Sequence, residues 1–281
     1  MKTHQFVFAF GAVLSAFFVS AKTPLVGLPS KGVLSEKSQF NLFNPTPREL
    51  WRELSPDRPD VTESPITLDA GAYGLEVSLF DWRRNEAGDE AFTYLSTNFK
   101  IGLTNDIDIQ FVFDAYSEEE PSTSGGLEGF SDLQIRLKYN LWGNDEEGTA
   151  FALFPYVKIP TGTELSNDEW EGGLILPFGT QLTEGVSLGL MAEFDIVFDD
   201  VEQEHELEFL HSAAFGFDLT DRVGLYLEYF GILGDEDYQA FASGGFTYAV
   251  NENLILDCGG QVGLNDAADE TGAFLGFTTR F

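Results

Sequence analysis

From about Gly71 to the last residue, apolar and polar positions alternate. In "VSLGLMAEFDIVFDD", Val186, Leu188, Leu190, Ala192, Phe194, Ile196 and Phe198 share one face, and Ser187, Gly189, Glu193, Asp195 and Asp199 share the other. In "FSDLQIRLKYNLW", Leu133, Ile135, Leu137, Tyr139 and Leu141 oppose Asp132, Gln134, Arg136, Lys138 and Asn140. A period of two marks a strand with two unlike faces. Twelve such strands are predicted, near 71–82, 91–103, 107–117, 130–142, 150–160, 170–182, 186–199, 206–219, 223–233, 238–250, 254–264 and 271–281. Periodicity leaves two arrangements open. In a soluble sandwich the apolar face is the core. In a membrane barrel it meets lipid, and the polar face lines the lumen.

The links between strands alternate in kind. Thr104-Asn105-Asp106, Thr183-Glu184-Gly185, Thr220-Asp221-Arg222 and Asn251-Glu252-Asn253 are tight, and 143–149 is the longer member of that set. The links at 83–90, 118–129, 161–169, 200–205, 234–237 and 265–270 are looser and more acidic. Short turns at one end and long loops at the other describe an outer-membrane barrel with its turns on the periplasmic side. Length agrees: eleven residues at ~3.3 Å, tilted about 40°, rise roughly 28 Å, close to the ~25 Å apolar band of such barrels. Soluble strands are usually five or six residues long. The expected fold is an all-β membrane barrel of about 12 antiparallel strands over 71–281. Closure requires the last strand to pair with the first, because an open edge in hydrocarbon leaves backbone groups unsatisfied. The chain then has reason to stop on Phe281, and alternating Ala273, Leu275, Phe277 and Thr279 before a terminal Phe resembles the assembly signal of outer-membrane barrels. The barrel-assembly machinery is thus an expected partner through Phe281, alongside outer-membrane lipid and lipopolysaccharide.

The N-terminus reads differently. Lys2 and His4 precede the apolar run Phe6 to Val19, and Val19-Ser20-Ala21 follows. This predicts a secretory signal peptide over 1–21. At about fourteen residues the run is short for a membrane span. Residues 22–70 do not alternate and are proline-rich, with a short helix expected around Pro47–Leu54. Two readings stand for this segment: a periplasmic stretch that tucks into the barrel mouth, or a loosely ordered leader.

Charge narrows the partners. The formal net charge is −32, which argues against nucleic acid, since phosphate binding needs a basic surface. Clusters such as Glu118-Glu119-Glu120 and Asp235-Glu236-Asp237 crowd the long links, against Arg83 and Arg84. They form either a solvated acidic rim or sites that share divalent cations with lipopolysaccharide phosphates. On the polar faces, Lys100, Arg136, Lys138, Lys158 and Arg280 are the lumen cations. Glu76, Asp108, Asp114, Asp132, Glu193, Asp195, Glu228 and Asp257 are the lumen anions. Arg58, flanked by Asp57 and Asp60 and followed by Glu63, makes a compact charge cluster stiffened by Pro59 and Pro65. It either docks on opposite charges in the lumen, or the lumen charges satisfy one another. Trp82, Trp142, Trp170, Phe198, Tyr229 and Tyr248 suit interfacial girdles.

"LSPDRPDVTESPITLDAGAYGLEVS", Leu54 to Ser78, resembles the MetA-pathway phenol-degradation family, through Asp57, Arg58, Pro59, Asp60, Thr62, Glu63, Ser64, Pro65, Gly71 and Glu76. "GFSDLQIRLKYNL" at 129–141 and "VKIPTGTE" at 157–164 fit the same family, with Ser131 standing where glycine is expected. The resemblance covers most of the chain after Leu54. It implies an outer-membrane, transporter-like barrel and names no solute.

Catalysis finds little support. Of three histidines, none pairs at metal spacing. His211 and Ser212 are adjacent, so a strand points them apart, and the His-x-Ser arrangement of twelve-stranded outer-membrane phospholipases is missing. The one cysteine, Cys258, is a small hydrophobe on the apolar face. No catalytic residue, metal or cofactor is expected. The expected function is a channel or transporter for small, aromatic or hydrophobic solutes. The alternative is a structural or adhesive outer-membrane protein with a closed lumen and cation-binding acidic loops.

Overall fold

The alternating pattern becomes strands that use both of their faces. The structure, a computed structural model, describes residues 37–123, 125–145, 148–199, 202–234 and 237–281. The predicted signal peptide, residues 22–36 and Asp235-Glu236 lie outside the described residues. The strands are β1 (Tyr73–Arg84), β2 (Glu90–Gly102), β3 (Ile107–Glu120), β4 (Leu127–Gly129), β5 (Leu133–Trp142), β6 (Thr149–Ile159) and β7 (Glu171–Thr183). β8 (Val186–Asp199), β9 (Glu204–Asp218), β10 (Val223–Leu233), β11 (Gln239–Asn251), β12 (Leu254–Gly263) and β13 (Thr271–Arg280) complete the set.

Each spanning strand pairs antiparallel with its sequence neighbours, and β1 pairs with β13 from Gly74↔Arg280 to Arg84↔Thr271. The cylinder is therefore closed. Phe281 finishes the seam: its amide donates to the Tyr73 carbonyl at 2.9 Å, and Tyr73 returns a bond of 3.0 Å. Twelve strands span; β4 is a short extra rung on the outer end of β3. The predicted strand 130–142 is thus shortened. Residues 130–132 leave the ladder: the Phe130 amide donates to Thr163 Oγ1 of the β6–β7 loop, and at the start of β5 the Leu133 amide donates to Thr161 Oγ1.

Face assignment follows the alternation. Leu137, Tyr139, Leu190, Phe194, Ile196 and Leu207 (63% exposed) point outward, while Lys138 (0%) and Asp195 are buried. Water-exposed apolar residues in such a continuous band belong against lipid. β1 departs from strict period two. A bulge shifts the register between Ser78 and Phe80. Glu76 and Ser78 face inward before it; after it Phe80 pairs with outward Leu275, so Trp82 also points outward. Leu95 in β2 (φ 55) lies at the same level and keeps Tyr94 and itself on the outer side. Paired bulges of this kind re-aim side chains without opening the barrel.

Ahead of β1, residues Lys37–Ala72 fold at and inside the end that carries the short turns. Asn41 bridges Thr104, and a 3-10 turn spans Arg48–Leu50. Gly71 (φ +76) brings the chain into β1; a Cβ there would sit 2.4 Å from Pro45 Cβ.

Candidate functional site

Residues 57–68 cross the lumen, and Asp57, Arg58 and Glu63 each meet an oppositely charged partner on the barrel wall. Asp57 is the pivot. Its carboxylate accepts from Lys138 Nζ at 2.5 Å, from Lys100 Nζ, and from Gln110 Nε2 at 3.2 Å. Its own amide donates to Glu76 Oε1 at 3.1 Å. Burial alone would push the Asp57 carboxyl up; Lys100 and Lys138 outweigh it and hold it well below the usual carboxylate range. Arg58 reaches the other way and donates to Asp257 through both Nη2 (2.6 Å) and Nε (3.3 Å). It can do so because Gly276 has no Cβ, which would lie 2.3 Å from Arg58 Nη2.

Beyond Pro59 the chain turns against β10. Glu228 accepts the amides of Val61 (3.1 Å) and Thr62 (2.8 Å), the Thr62 hydroxyl (2.7 Å) and the Ser243 hydroxyl (2.8 Å). Thr62 Oγ1 also lies 2.6 Å from Ser212 Oγ on β9. Glu63 accepts from Arg136 Nη1 at 2.7 Å. Burial pushes the Glu63 carboxyl up to about 7, with the Asp57 charge adding to the rise and Arg136 opposing it. Ser64 donates its amide to Asp57 (3.0 Å), and the Pro65 carbonyl accepts from Asn140 (2.8 Å). The chain then returns to the wall, where the Leu68 amide donates to Asp108 (2.9 Å).

Lys100, Arg136, Lys138 and Glu228 therefore all touch the Asp57–Pro65 motif. So do Glu76, through the Asp57 amide, and Asp257, through Arg58, whereas Lys158, Asp132, Asp195 and Arg280 are engaged elsewhere. Lys158 pairs with Asp132 (3.3 Å) and Glu171 (2.8 Å) at the long-loop end, where Asp132 also accepts the amides of Thr161 and Gly162. Asp195 accepts from Tyr156 Oη at 2.5 Å. Arg280 sits at the short-turn end, donating to the Arg52 carbonyl (2.7 Å) and Asn253 (3.0 Å), with its guanidinium 4.8 Å from the Trp51 ring. His211 and Ser212 point apart as their adjacency requires: Ser212 is buried against Thr62, and the His211 ring packs with Tyr229 and Tyr238.

Two features have no period-two signal. Asp69, fully buried, gathers Lys37 (3.1 Å), the Arg52 amide (3.0 Å) and the Arg52 and Arg280 side chains, while Asp145 of the β5–β6 turn takes Lys37 (2.6 Å) and Arg52 (3.3 Å). This cluster fastens the segment at the mouth. The second feature is apolar. Phe154, Ile175 and Met191 form one buried cluster, Phe230, Phe241 and Ala268 another, and Val61 packs against both. The lumen wall is thus not uniformly polar, contrary to the face-by-face expectation; β6–β11 turn large apolar side chains inward at Val61's level. Among the described residues no group of His, Cys, Asp and Glu is arranged to hold a metal ion.

Residues 56–281 match the family model described as "Putative MetA-pathway of phenol degradation". No curated protein sequence matches the chain. Among solved structures, the outer membrane channel from Pseudomonas putida F1 is similar at a TM-score of 0.59 and 13% identity, covering 82% of this chain and 100% of that one. The NanC porin is similar at a TM-score of 0.54 and 8% identity, covering 73% of this chain and 98% of that one. Both likenesses concern the fold, that of an outer-membrane β-barrel.

Proposed function

We infer function from one premise: the chain belongs to the MetA-pathway phenol-degradation family, whose model takes in both the barrel and the Asp57–Pro65 motif. We propose that it is an outer-membrane channel for small aromatic or otherwise apolar solutes, closed at rest by residues 54–72. The observation that carries this reading is Val61, held in mid-lumen between two inward-facing apolar clusters. A dry apolar constriction opposes ions and sugars by dewetting, whereas an apolar solute, once the segment moves aside, loses little against the apolar clusters left on the wall. The ion pairs around Asp57 and Glu63 hold Val61 there. That a barrel of shared fold is described as a channel, and another as a porin, agrees with the proposal.

The same packed clusters favour a second reading, a closed-lumen structural protein whose acidic loops face outward. Proteoliposome influx separates the two. The channel reading expects benzyl alcohol to enter faster than in protein-free vesicles, with arabinose little accelerated. Equal influx with and without protein for every solute would leave the closed-lumen reading, and faster arabinose than benzyl alcohol would sink the apolar constriction.

A further inference from the structure

On the short-turn side of the docked segment, the lumen opens into a cavity of about 940 Å³. Its barrel wall is stripped of bulk: Gly179, Gly189, Ala214 and Gly216 leave room that Ser187 and Thr247 edge with hydroxyls. The segment supplies the opposite wall with Pro59, Pro65, Asp60 and Glu63. Charge in this space is lopsided. Arg58 also lines it, yet its guanidinium is already engaged by Asp257. Glu63 keeps one buried oxygen without a partner beside the one that takes Arg136. Asp60 forms no ion pair with any described residue; the charges that act on it most are the carboxylates of Glu228, Glu63 and Asp57. An independent feature lies on the barrel side. Tyr226 lines the same cavity, is 6% exposed, and has a buried hydroxyl that makes no hydrogen bond of good geometry, because the Ser243 hydroxyl beside it is turned toward Glu228. A carboxylate lacking a counter-ion, next to a tyrosine ring and an unspent hydroxyl, has the chemistry of a cation site.

We propose that this cavity holds a small organic ammonium ion, with the Asp60 carboxylate as counter-ion, the Tyr226 ring and hydroxyl beside the ammonium, and Pro59 and Pro65 against the apolar remainder. The inference rests on the channel reading for its physiological meaning, yet the site lies to one side of the apolar constriction and binding does not require passage through it. One consequence follows for protons. Withdrawal from water pushes the Asp60 carboxyl well up, and Glu228 adds to the rise. Empty, Asp60 holds its proton more tightly than a free carboxylate does. An arriving ammonium displaces that proton, so binding releases acid and tightens as pH rises through the raised Asp60 range. Glu53, Glu63 and Asp218 line the same space and draw the cation in the same direction, as does the Glu228 charge behind Thr62, whereas Arg58, paired with Asp257, opposes it weakly.

The test is titration calorimetry on the full-length barrel in detergent, with benzylammonium as probe and benzyl alcohol, benzoate and magnesium chloride as comparisons. The proposal expects saturable benzylammonium binding. It also expects a heat that depends on the buffer's ionisation enthalpy in the direction of proton release. Asp60→Asn should weaken binding about ten- to a hundredfold, the worth of a charge-assisted contact. Tyr226→Phe, which keeps the ring and the packing, should weaken it by less while leaving the fold intact. Benzyl alcohol binding as tightly as benzylammonium, magnesium competing at equal concentration, or an unchanged affinity in Asp60→Asn would each overturn the site. None of these outcomes depends on whether solutes cross the membrane, so the channel reading is judged separately by influx.

Discussion

Asp57→Asn is the sharpest perturbation of the docked segment. The change keeps size and shape and removes one charge. Lys138 is fully buried, its ammonium 4.7 Å from the Phe154 ring centroid, and Asp57 is the carboxylate it pairs with. Lys100 retains Glu76, so Lys138 is the cation left stranded. Removing one partner of a buried ion pair costs about 3–5 kcal/mol, because the other charge stays buried and unpaired. At 1.36 kcal/mol per tenfold, the docking equilibrium should shift by roughly a hundred- to several-thousandfold toward the undocked segment. The barrel should survive, since its ladders do not pass through Asp57. Planar-bilayer recording reads the outcome: larger or more frequent ion conductance than the native protein, together with faster protease cleavage within residues 37–72. A companion variant, Asp57→Leu with Lys138→Met, replaces the pair by apolar groups and should dock again, as buried pairs often tolerate such replacement. Native conductance and native protease resistance in Asp57→Asn would refute the idea that this pair holds the segment.

Three further outcomes are expected. Val61→Asp places a carboxylate between the two apolar clusters and should raise ion conductance while slowing benzyl alcohol influx; unchanged influx would remove Val61 from the path. In the docked segment Glu63 binds its proton more tightly than a free carboxylate. Its contribution to docking is therefore present below the ordinary Glu value of 4.5, lost as pH rises toward about 7, and flat above. Asp57, held low, contributes above its ordinary value of 3.8 and fails only in stronger acid. Protease cleavage of the segment should hence be slower at pH 5.5 than at pH 8, and Glu63→Gln should reduce the difference, leaving the part that comes from Asp60, whose carboxyl is also raised. Deleting Phe281 removes two backbone bonds with Tyr73 and the stacked contact of their rings, 6.0 Å between centroids. We propose that the assembly machinery recognises the terminal Phe, which predicts little folded protein in cell membranes but nearly normal refolding into detergent, compared by the gel mobility of heated and unheated samples; equal folding in both settings would refute it.

The strands were legible because a half-buried strand writes its environment at every second residue. Leu190, Phe194 and Ile196 face lipid and Asp195 faces in, as the alternation says. The β1 bulge was not legible: one extra residue at Leu79 inverts the phase, and nothing local in "VSLFDW" announces it. The Asp57–Pro65 charges were visible as a cluster, and their lumen partners as a set, but period two cannot say which pair across the barrel. Closure and shear decide that Asp57 meets Lys138 while Lys158 stays with Asp132. The inward Met191, Phe230 and Phe241 were obscured because an apolar residue on the lumen face reads as noise in the alternation until Val61 is placed between them. Lys37, Arg52 and Asp69 sit in a segment without periodicity, where tertiary contacts alone reveal the latch.

The central claim is that the segment must leave mid-lumen for a solute to pass. Thr62 Oγ1 and Ser212 Oγ lie 2.6 Å apart, so Thr62→Cys with Ser212→Cys can tie the segment to β9 by a disulfide. Benzyl alcohol influx into proteoliposomes, measured oxidised and then after reduction on the same sample, is the most direct measurement. The account predicts influx at the protein-free rate when oxidised and recovery to the native rate on reduction. Equal influx in both states would contradict it.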